Sequence, residues 1–344
     1  MTAARRVRAY AAHFAALAVL TFATALVFTA APRLAAGATD DGLRGHVAAR
    51  NPLVRDLTFR YAGGGFGTSP DGTDPVGAAA WRDELGARLP TSLARLVGTR
   101  WYGTHVPATE LTAAGADLHP DRQQVAFGLR TLTGLEEAAG LVRGRWPRTS
   151  ADGPLEVALS RQVAAQLELT VGARFTIDRA AGGTPPLPAR LVGIFHPHDT
   201  AAEVWRLQPS LLDMPPPDGT ADPYRAQAVT DLPGMAHAAR RAWPLAYEWI
   251  FRVDPGRLRA ADLDAVVRDL AATARQAPLP LTFSSGLARP LAQFAAARSA
   301  NDAAIATVQG GVFAALVGLV CAGAGLLARR RRDERALLRA RGAG

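Results

Sequence analysis

The hydrophobic and polar positions of the chain form two uncharged apolar segments with a mixed stretch between them. His13–Ala31 contains 19 residues without Asp, Glu or Arg, and Val308–Ala328 contains 21 residues without a formal charge. A helix needs about 20 apolar residues to cross the hydrocarbon core of a bilayer. We therefore predict two transmembrane helices, the first at about residues 13–31 and the second at residues 308–328.

Between these segments, the spacing of apolar residues is typical of strands in some stretches and of helices in others. Amphipathic spacing predicts a helix over Ala260–Arg275, and Leu135–Val142 is also predicted as a helix. Ser160 is placed to cap a short helix that follows it. Gly286–Gln309 predicts one long helix that runs unbroken into the second apolar segment. The predicted strands include Leu155–Leu159, Ala189–Phe195, Ala226–Thr230 and Glu248–Val253.

These elements predict an α+β membrane protein in which two transmembrane helices flank a mixed α/β extracytoplasmic domain. The predicted units are a cytoplasmic tip with the first helix (1–36), the α/β domain (37–285), a stalk helix (286–307), the second membrane helix (308–328) and a cytoplasmic segment (329–344). Within the α/β domain we expect a β-rich subdomain at about 151–230.

The net charge of +9 lies beside the two apolar segments. Residues 37–328 hold 28 Arg and 28 Asp or Glu, so this part of the chain is neutral. The first 36 residues carry four Arg, and residues 329–344 carry seven Arg against two acidic residues. Basic residues flank membrane helices on the cytoplasmic side. We therefore expect a plasma-membrane protein with both termini in the cytoplasm and residues 37–306 outside, and no nucleic-acid partner.

The first apolar segment has two interpretations. A cleaved signal peptide fits the basic residues before it and the small residues after it. An uncleaved signal anchor fits its length better, because 19 residues exceed the usual apolar region of about 7–15 residues in a signal peptide. Both interpretations place the following domain outside the cytoplasm, and we favour the anchor.

Composition excludes several kinds of chemistry. All 39 basic residues are Arg, so a Walker A motif, which requires Lys, is excluded. The single cysteine, Cys321, allows no disulfide within the chain. The Gly-rich stretch 62–67 lacks the spacing of a nucleotide-binding motif and is interpreted as a flexible loop.

The candidate metal ligands and nucleophiles also favour structural interpretations. His196, His198 and Asp199 could ligate zinc, but a third firm ligand is not evident, so we interpret them as a turn. The serines considered as nucleophiles lack the G-x-S-x-G context: Ser160, Ser284 and Ser285. We predict no catalytic residue, no metal and no cofactor, and we do not expect an enzyme.

Two stretches of the sequence resemble a known family. Arg329–Ala343 reads RRRRDERALLRARGA, and the α/β domain contains GRWP, LEVALSRQVAAQLELTVGARFTI and LVGIF in order. Both stretches resemble the FtsX/MacB-like permeases of ABC transporters, in which a run like RRRREELALLRARGAS opens the cytoplasmic coupling segment. The chain departs from the family at Glu168, where a Gly is usual, and at Ala173, where an acidic residue is usual.

The resemblance implies a permease subunit that works with a separate ABC ATPase, for export or for mechanical signalling. By position, the residues that would contact the ATPase are Arg335, Leu337, Leu338 and Arg339. An interfacial helix that binds only anionic lipid is the alternative for this segment. Such permeases have at least four membrane helices, so we expect either the N-terminal part of a longer permease or a truncated product.

A stripe of small residues lies within the second apolar segment. Gly310, Ala314, Gly318 and Ala322 lie four residues apart, a spacing that lets another membrane helix approach closely. The expected partners are other permease copies or further membrane helices, together with the lipid bilayer. The alternative function is a bitopic, membrane-anchored protein whose extracytoplasmic domain binds or senses a ligand. The sequence names no substrate.

Overall fold

The computed structural model describes residue 22 and residues 36–62, 74–115, 118, 125–183, 185–214 and 224–340. The first predicted membrane segment therefore lies outside the described residues, apart from Phe22. The chain forms two compact units, one up to Pro290 and the other from Leu291 onwards. The finer domain limits given above stay predictions.

The first unit alternates short helices with the strands of one sheet. Its helices are α1 (described over 36–48), α2 (Pro52–Arg55), α3 (Pro75–Ala87), α4 (Thr91–Ala94), α5 (Arg161–Gln166), α6 (Glu203–Leu207), α7 (Leu232–Arg240) and α8 (Leu263–Arg275). Its strands are β1 (Leu57–Ala62), β2 (Val97–Val106), β3 (Leu111–Ala114), β4 (Val125–Leu132), β5 (Ala139–Gly144), β6 (Leu155–Ser160), β7 (Arg174–Arg179), β8 (Leu187–Pro197), β9 (Arg225–Val229), β10 (Ala246–Val253) and β11 (Thr282–Ser284).

The 11 strands form one mixed sheet in the order β11-β1-β10-β2-β4-β3-β7-β8-β6-β9, with β5 paired to β8. Strand β9 also pairs with β4, in parallel, so β4, β3, β7, β8, β6 and β9 pair in a closed ring. Strand β10 lies between β1 and β2 and runs antiparallel to both. The ring begins at Leu111, before the start of the β-rich subdomain predicted at about 151.

The two faces of β10 pack against different layers. On one face, Trp249 stacks on Trp81 of α3 at 5.9 Å between ring centroids, and its indole N–H donates to the carbonyl of Ala78 at 2.8 Å. On the other face, Ile250 joins a buried cluster that includes Phe195 and Trp205, whose rings stack at 6.0 Å. Alternation along the strand therefore places the core on both sides of the sheet.

Several elements predicted from the sequence are confirmed. The four strands predicted above correspond to β6, β8, β9 and β10, and the predicted amphipathic helix corresponds to α8, which begins at Leu263. Ser160 caps α5, because its hydroxyl accepts the N–H of Val163 at 3.1 Å.

The helix predicted over Leu135–Val142 is wrong. Residues up to Ala138 form turns, and Ala139 begins strand β5, which pairs with β8. Gly134, just before the predicted range, has a φ of +82° and belongs to the same turns. Pairing with β8 therefore outweighs the local helical propensity of Leu, Glu and Ala.

The helix predicted from Gly286 is confirmed as α9, which is unbroken from Ala288 to Ala340 over 53 residues. Its backbone includes the whole second apolar segment and most of the Arg-rich stretch that follows. Among the described residues, no helix meets the length and the apolarity that crossing a membrane requires. The two transmembrane helices are therefore not confirmed and stay predictions from the sequence.

Candidate functional site

The residues predicted to contact an ATPase lie near the end of α9. Arg335 and Arg339 are four residues apart in a helical backbone, so they share one face, while Leu337 and Leu338 lie between them. The side chains of these four residues are outside the described part of the structure. Their contact with an ATPase therefore stays a prediction.

The predicted packing stripe also lies on α9. Gly310, Ala314, Gly318 and Ala322 are helical and exposed, and their spacing places them on one face of the helix. A Cβ atom at Gly310 or Gly318 would meet no other atom within 4 Å. Within the described residues, the face therefore has room for another helix.

The family-like motifs in the first unit converge on one ion pair. Arg145 of GRWP donates two hydrogen bonds to the carboxylate of Glu156 in β6, both at 2.6 Å, and the N–H of Arg148 donates a third at 2.8 Å. These hydrogen bonds lower the pKa of Glu156, and the bonds to Arg145 are the largest cause. The motif therefore fixes the segment after β5 against β6.

Close backbone approach explains two glycines of the same motifs. Gly144 has a φ of +78°, and a Cβ atom there would lie 2.0 Å from the carbonyl oxygen of Val192. A Cβ atom on Gly193 would lie 2.2 Å from the carbonyl oxygen of Arg145. Any larger side chain would force β5 and β8 apart at this pair.

The position at which the family usually has Gly is a left-handed residue here. Glu168 has a φ of +55° and follows α5 as the residue that reverses the chain. Its N–H donates to Ala165, and the N–H of Leu169 donates to Ala164 at 2.9 Å, as in a Schellman motif. Glu168 therefore adopts, at a conformational cost, a backbone conformation that glycine adopts freely.

Asp231 links the same segment to α7, and sequence analysis missed it. Its carboxylate accepts the N–H of Thr149 at 2.7 Å and the N–H of Gly234 at 2.9 Å, so it caps α7 and holds the motif segment together. An Asp with Pro two residues later is a signal for a helix start that could have identified this cap.

A buried polar cluster, also missed, lies in the sheet. Arg130 of β4 forms an ion pair with Glu248 of β10 and a hydrogen bond with Gln208, and all three side chains are buried. Arg130 Nη2 also lies 3.3 Å from Nδ1 of His105. Burial, then the charge on Arg130, lowers the pKa of His105 to about 4. The imidazole is therefore neutral at pH 7 and accepts from Arg130.

A second buried cluster joins the end of α2, strand β10 and α6. Arg252 pairs with Asp56 at 2.5 Å and also with Glu203, and Arg55 pairs with the same two carboxylates. The guanidinium of Arg252 lies 4.3 Å from the ring centroid of Trp101. Each buried charge therefore has an opposite charge beside it, which a buried ion requires. The two clusters fix elements and expose no reactive group.

The residues considered as metal ligands or nucleophiles are engaged in structural contacts. His196 lies at the end of β8, with Nδ1 3.1 Å from the carbonyl oxygen of Gly140, and His198 follows in a bend. The hydroxyl of Ser160 donates to the carbonyl of Leu212 at 2.8 Å. In the described parts of the chain, no group of three or more His, Cys, Asp or Glu side chains is arranged to hold a metal ion.

Comparison with known proteins finds similarity only among solved structures, one of which is described here. No protein-family model and no curated protein matches the chain. The crystal structure of the periplasmic region of MacB from Actinobacillus actinomycetemcomitans aligns with a TM-score of 0.32 and 9% identity, over 68% of this chain and 91% of that chain. Membership of the FtsX/MacB-like family therefore stays a prediction from the sequence.

Proposed function

We propose that the chain is the membrane subunit of an ABC transporter of the FtsX/MacB type, which works with a separate ATPase. The observation that carries the proposal is the continuity of α9. One unbroken helix of 53 residues contains both the uncharged segment and the Arg-rich stretch that resembles the family's coupling segment. At 1.5 Å per residue, its length is about 80 Å, more than twice the roughly 30 Å of a bilayer core.

In this proposal, α9 transmits movement from the ATPase to the extracytoplasmic domain. Closure of the ATPase would displace the segment around Leu337 and Leu338, and an unbroken helix transfers such a displacement along its axis. The result is export of a substrate or a mechanical signal outside the cytoplasm. We propose no reaction on this chain itself, because the polar groups described above hold the fold together.

The topology that follows places both termini in the cytoplasm and residues 37–306 outside. Because Cys321 is the single cysteine, a Cys321→Ser chain provides a background without thiols. In that background, Ser299→Cys should react with a membrane-impermeant maleimide in intact cells, whereas Ala343→Cys should react only after lysis. Equal labelling of both positions in intact cells would contradict the topology.

Copurification tests the role in coupling. The tagged full chain, purified in neutral detergent from its own cells, should carry an ATPase with it. We expect Leu337→Asp with Leu338→Asp to abolish copurification, because two carboxylates would replace the apolar contact. Ala303→Asp with Ala304→Asp, at two exposed positions of the same helix, is the matched control and should leave the ATPase bound. Retention of the ATPase by the first pair would argue against coupling.

A bitopic binding or sensor protein is the second candidate, and an arginine-lined cavity in the first unit favours it. The two candidates differ in the need for an ATPase. A chain that reaches the membrane with the proposed topology and carries no ATPase, even before substitution, would support the second candidate.

A further inference from the structure

The first unit contains a large concavity whose charged lining residues are mostly arginine. Its volume is about 1330 Å³, and it lies between strands β7 and β8, the loop at 151–154 and the end of α7. Its basic lining residues are Arg174, Arg190, Arg240 and Arg241, against a single carboxylate, Asp152, among the described lining residues. The ionised lining groups therefore carry a net charge of +3.

The two strand arginines face each other directly. Arg174 and Arg190 are cross-strand partners in the antiparallel pair of β7 and β8, so their side chains emerge side by side on the same face. Like charges directly opposite each other destabilise a sheet. Glu156 lies beside Arg190 in the register of β6, and its carboxylate interacts with the charge of Arg190 while it accepts both hydrogen bonds from Arg145. The two guanidinium groups therefore both start from the same face of the sheet, where the concavity lies.

The helix side of the cavity supplies two more guanidinium groups. Arg241 donates to the carbonyl of Pro185 at 2.5 Å, and Arg240 lies 3.5 Å from the carbonyl of Ala151. Both partners are neutral carbonyls, so these contacts orient the guanidinium groups without cancelling their charge. Burial, then the charge on Arg240, lowers the pKa of His237, so at pH 7 the positive charge comes from arginine alone.

The guanidinium groups on the strand side and on the helix side of the cavity indicate which anionic groups a ligand would carry. Arginine binds phosphate oxygens in a bidentate manner, and each phosphate monoester carries about −1.5 to −2 charges at pH 7. Two such groups would match the net charge of the lining. The volume exceeds that of ordinary pockets for small molecules, about 300–1000 Å³, so there is room for more than one orthophosphate. We propose that this cavity binds a ligand carrying two phosphate groups, whichever function above is correct.

Calorimetric titration of the full chain in neutral detergent with inorganic pyrophosphate tests the proposal. We expect saturable binding that weakens as salt is added, because the attraction is between ions. Arg190→Gln with Arg240→Gln removes one charge from each side of the cavity. This pair should weaken binding at least about tenfold, or about 1.4 kcal/mol.

The matched control removes two arginines from elsewhere. Arg268→Gln with Arg275→Gln changes the net charge equally at exposed positions of α8 that do not line the cavity, and should leave the affinity unchanged. Equal weakening by both pairs, or no saturable binding by the parent chain, would overturn the proposal. If the double variant has a lower unfolding temperature, Arg240→Gln alone, with Arg268→Gln as its control, provides the same comparison.

A second titrant distinguishes the source of the phosphate groups. A short-chain lipid with a bisphosphorylated headgroup, below its micellar concentration, presents the same two groups on a lipid. Tighter binding than that of pyrophosphate indicates a lipid headgroup, and equal or weaker binding indicates a soluble ligand. Either result supports the cavity as a site for two phosphate groups if Arg190→Gln with Arg240→Gln weakens the binding of both titrants.

Discussion

Arg145 and Glu156 form a two-pronged ion pair in which both guanidinium nitrogens lie 2.6 Å from carboxylate oxygens. The two residues come from separate motifs of the sequence, and the pair joins them across 11 positions of the chain. The Glu156 side chain is mostly buried, at 14% exposure, whereas that of Arg145 is 51% exposed. The carboxylate therefore depends on its partners, including the N–H of Arg148, for its charged form.

We predict that Glu156→Gln destabilises the fold by about 1 kcal/mol, because an amide NH₂ would face the Arg145 donors in place of an oxygen. The expected loss of stability is small because the Arg145 side chain is half exposed, and solvent screens its charge. Glu137→Gln, at an exposed position, is the control and should change stability little. Guanidinium titration of the full chain in neutral detergent, followed by tryptophan fluorescence, measures the difference. Equal stabilities of the two variants would contradict the role of the pair.

The ion pair also predicts a pH dependence. Because the pKa of Glu156 is lower in the folded chain than in the unfolded chain, its contribution is fully present above the unfolded pKa. The contribution is lost as the pH falls through the folded pKa. The stability difference between the parent and Glu156→Gln should therefore shrink below about pH 4.3, the ordinary value for Glu.

Gly144 provides a second prediction, because a side chain there meets both strain and a backbone atom. Gly144→Ala should destabilise the chain by about 3 kcal/mol, since the added Cβ would lie 2.0 Å from the carbonyl oxygen of Val192. Gly182→Ala is the matched control, because its φ is +68° but no atom lies within 4 Å of the added Cβ. The control should lose only about 1 kcal/mol, the cost of the left-handed backbone. The same unfolding titration compares them, and similar losses would show that the close approach is unimportant.

These results show what the sequence could and could not predict. Strand β6, strand β8 and the Ser160 cap follow from local signals, which are alternation and a hydroxyl before a helix. Strand β5 was missed because its conformation depends on pairing with β8, 49 to 58 residues later. The ion pair of Arg130 and Glu248 was missed for the same reason, since 118 residues separate its two members. No local pattern identifies such contacts.

The two candidate sites also differ in whether local sequence signals could identify them. The sequence identified α9 because its period and its charge boundary are local features. The arginine cavity was not predicted, because Arg174 and Arg190 become neighbours only through the register of β7 and β8, and Arg240 belongs to a helix much later in the chain.

Ala242 has a left-handed backbone conformation, so we predict that its replacement by glycine stabilises the chain. It follows α7 with a φ of +54°, and the N–H of Trp243 returns to the carbonyl of Ala238 at 3.1 Å. Ala242→Gly should stabilise the chain by about 1 kcal/mol, because glycine adopts this conformation without steric cost. Glu168→Gly should act in the same direction.

Ala239→Gly, three residues earlier and inside α7, is the matched control. It should destabilise the chain by roughly 0.5–1 kcal/mol, the cost of glycine in a helix. Thermal unfolding of the parent and the variants measures both effects. If Ala242→Gly and Ala239→Gly changed stability in the same direction, the left-handed assignment would be wrong.

The lowered pKa of His105 should make the stability of the fold sensitive to acid. Its pKa of about 4 in the folded chain lies below the ordinary value of about 6.5, so the unfolded chain takes up a proton first as the pH falls. Stability should therefore decline between these two values, by at most about 3 kcal/mol from this group. The charged groups that act on the imidazole are Arg130, Glu248 and Arg60.

The variant His105→Gln removes the titrating group and keeps an acceptor for Arg130. Its stability should decline less than that of the parent between pH 6.5 and about 4. His198→Gln, at an exposed position, is the control and should follow the parent curve. Unfolding titrations at a series of pH values give the three curves, and parallel curves for the parent and His105→Gln would contradict the assignment.

The small-residue stripe on α9 gives the last prediction, because it separates assembly from folding. A Cβ atom at Gly318 would meet no atom within 4 Å, so Gly318→Leu should not destabilise the isolated chain. In an assembly with other membrane helices, the added side chain would prevent close approach along the stripe. Val317→Leu, turned by about 100° from Gly318 on the helix, adds bulk away from the stripe and is the control. Cross-linking in native membranes should show fewer assemblies for Gly318→Leu than for Val317→Leu, and equal yields would show that the stripe is not a packing face.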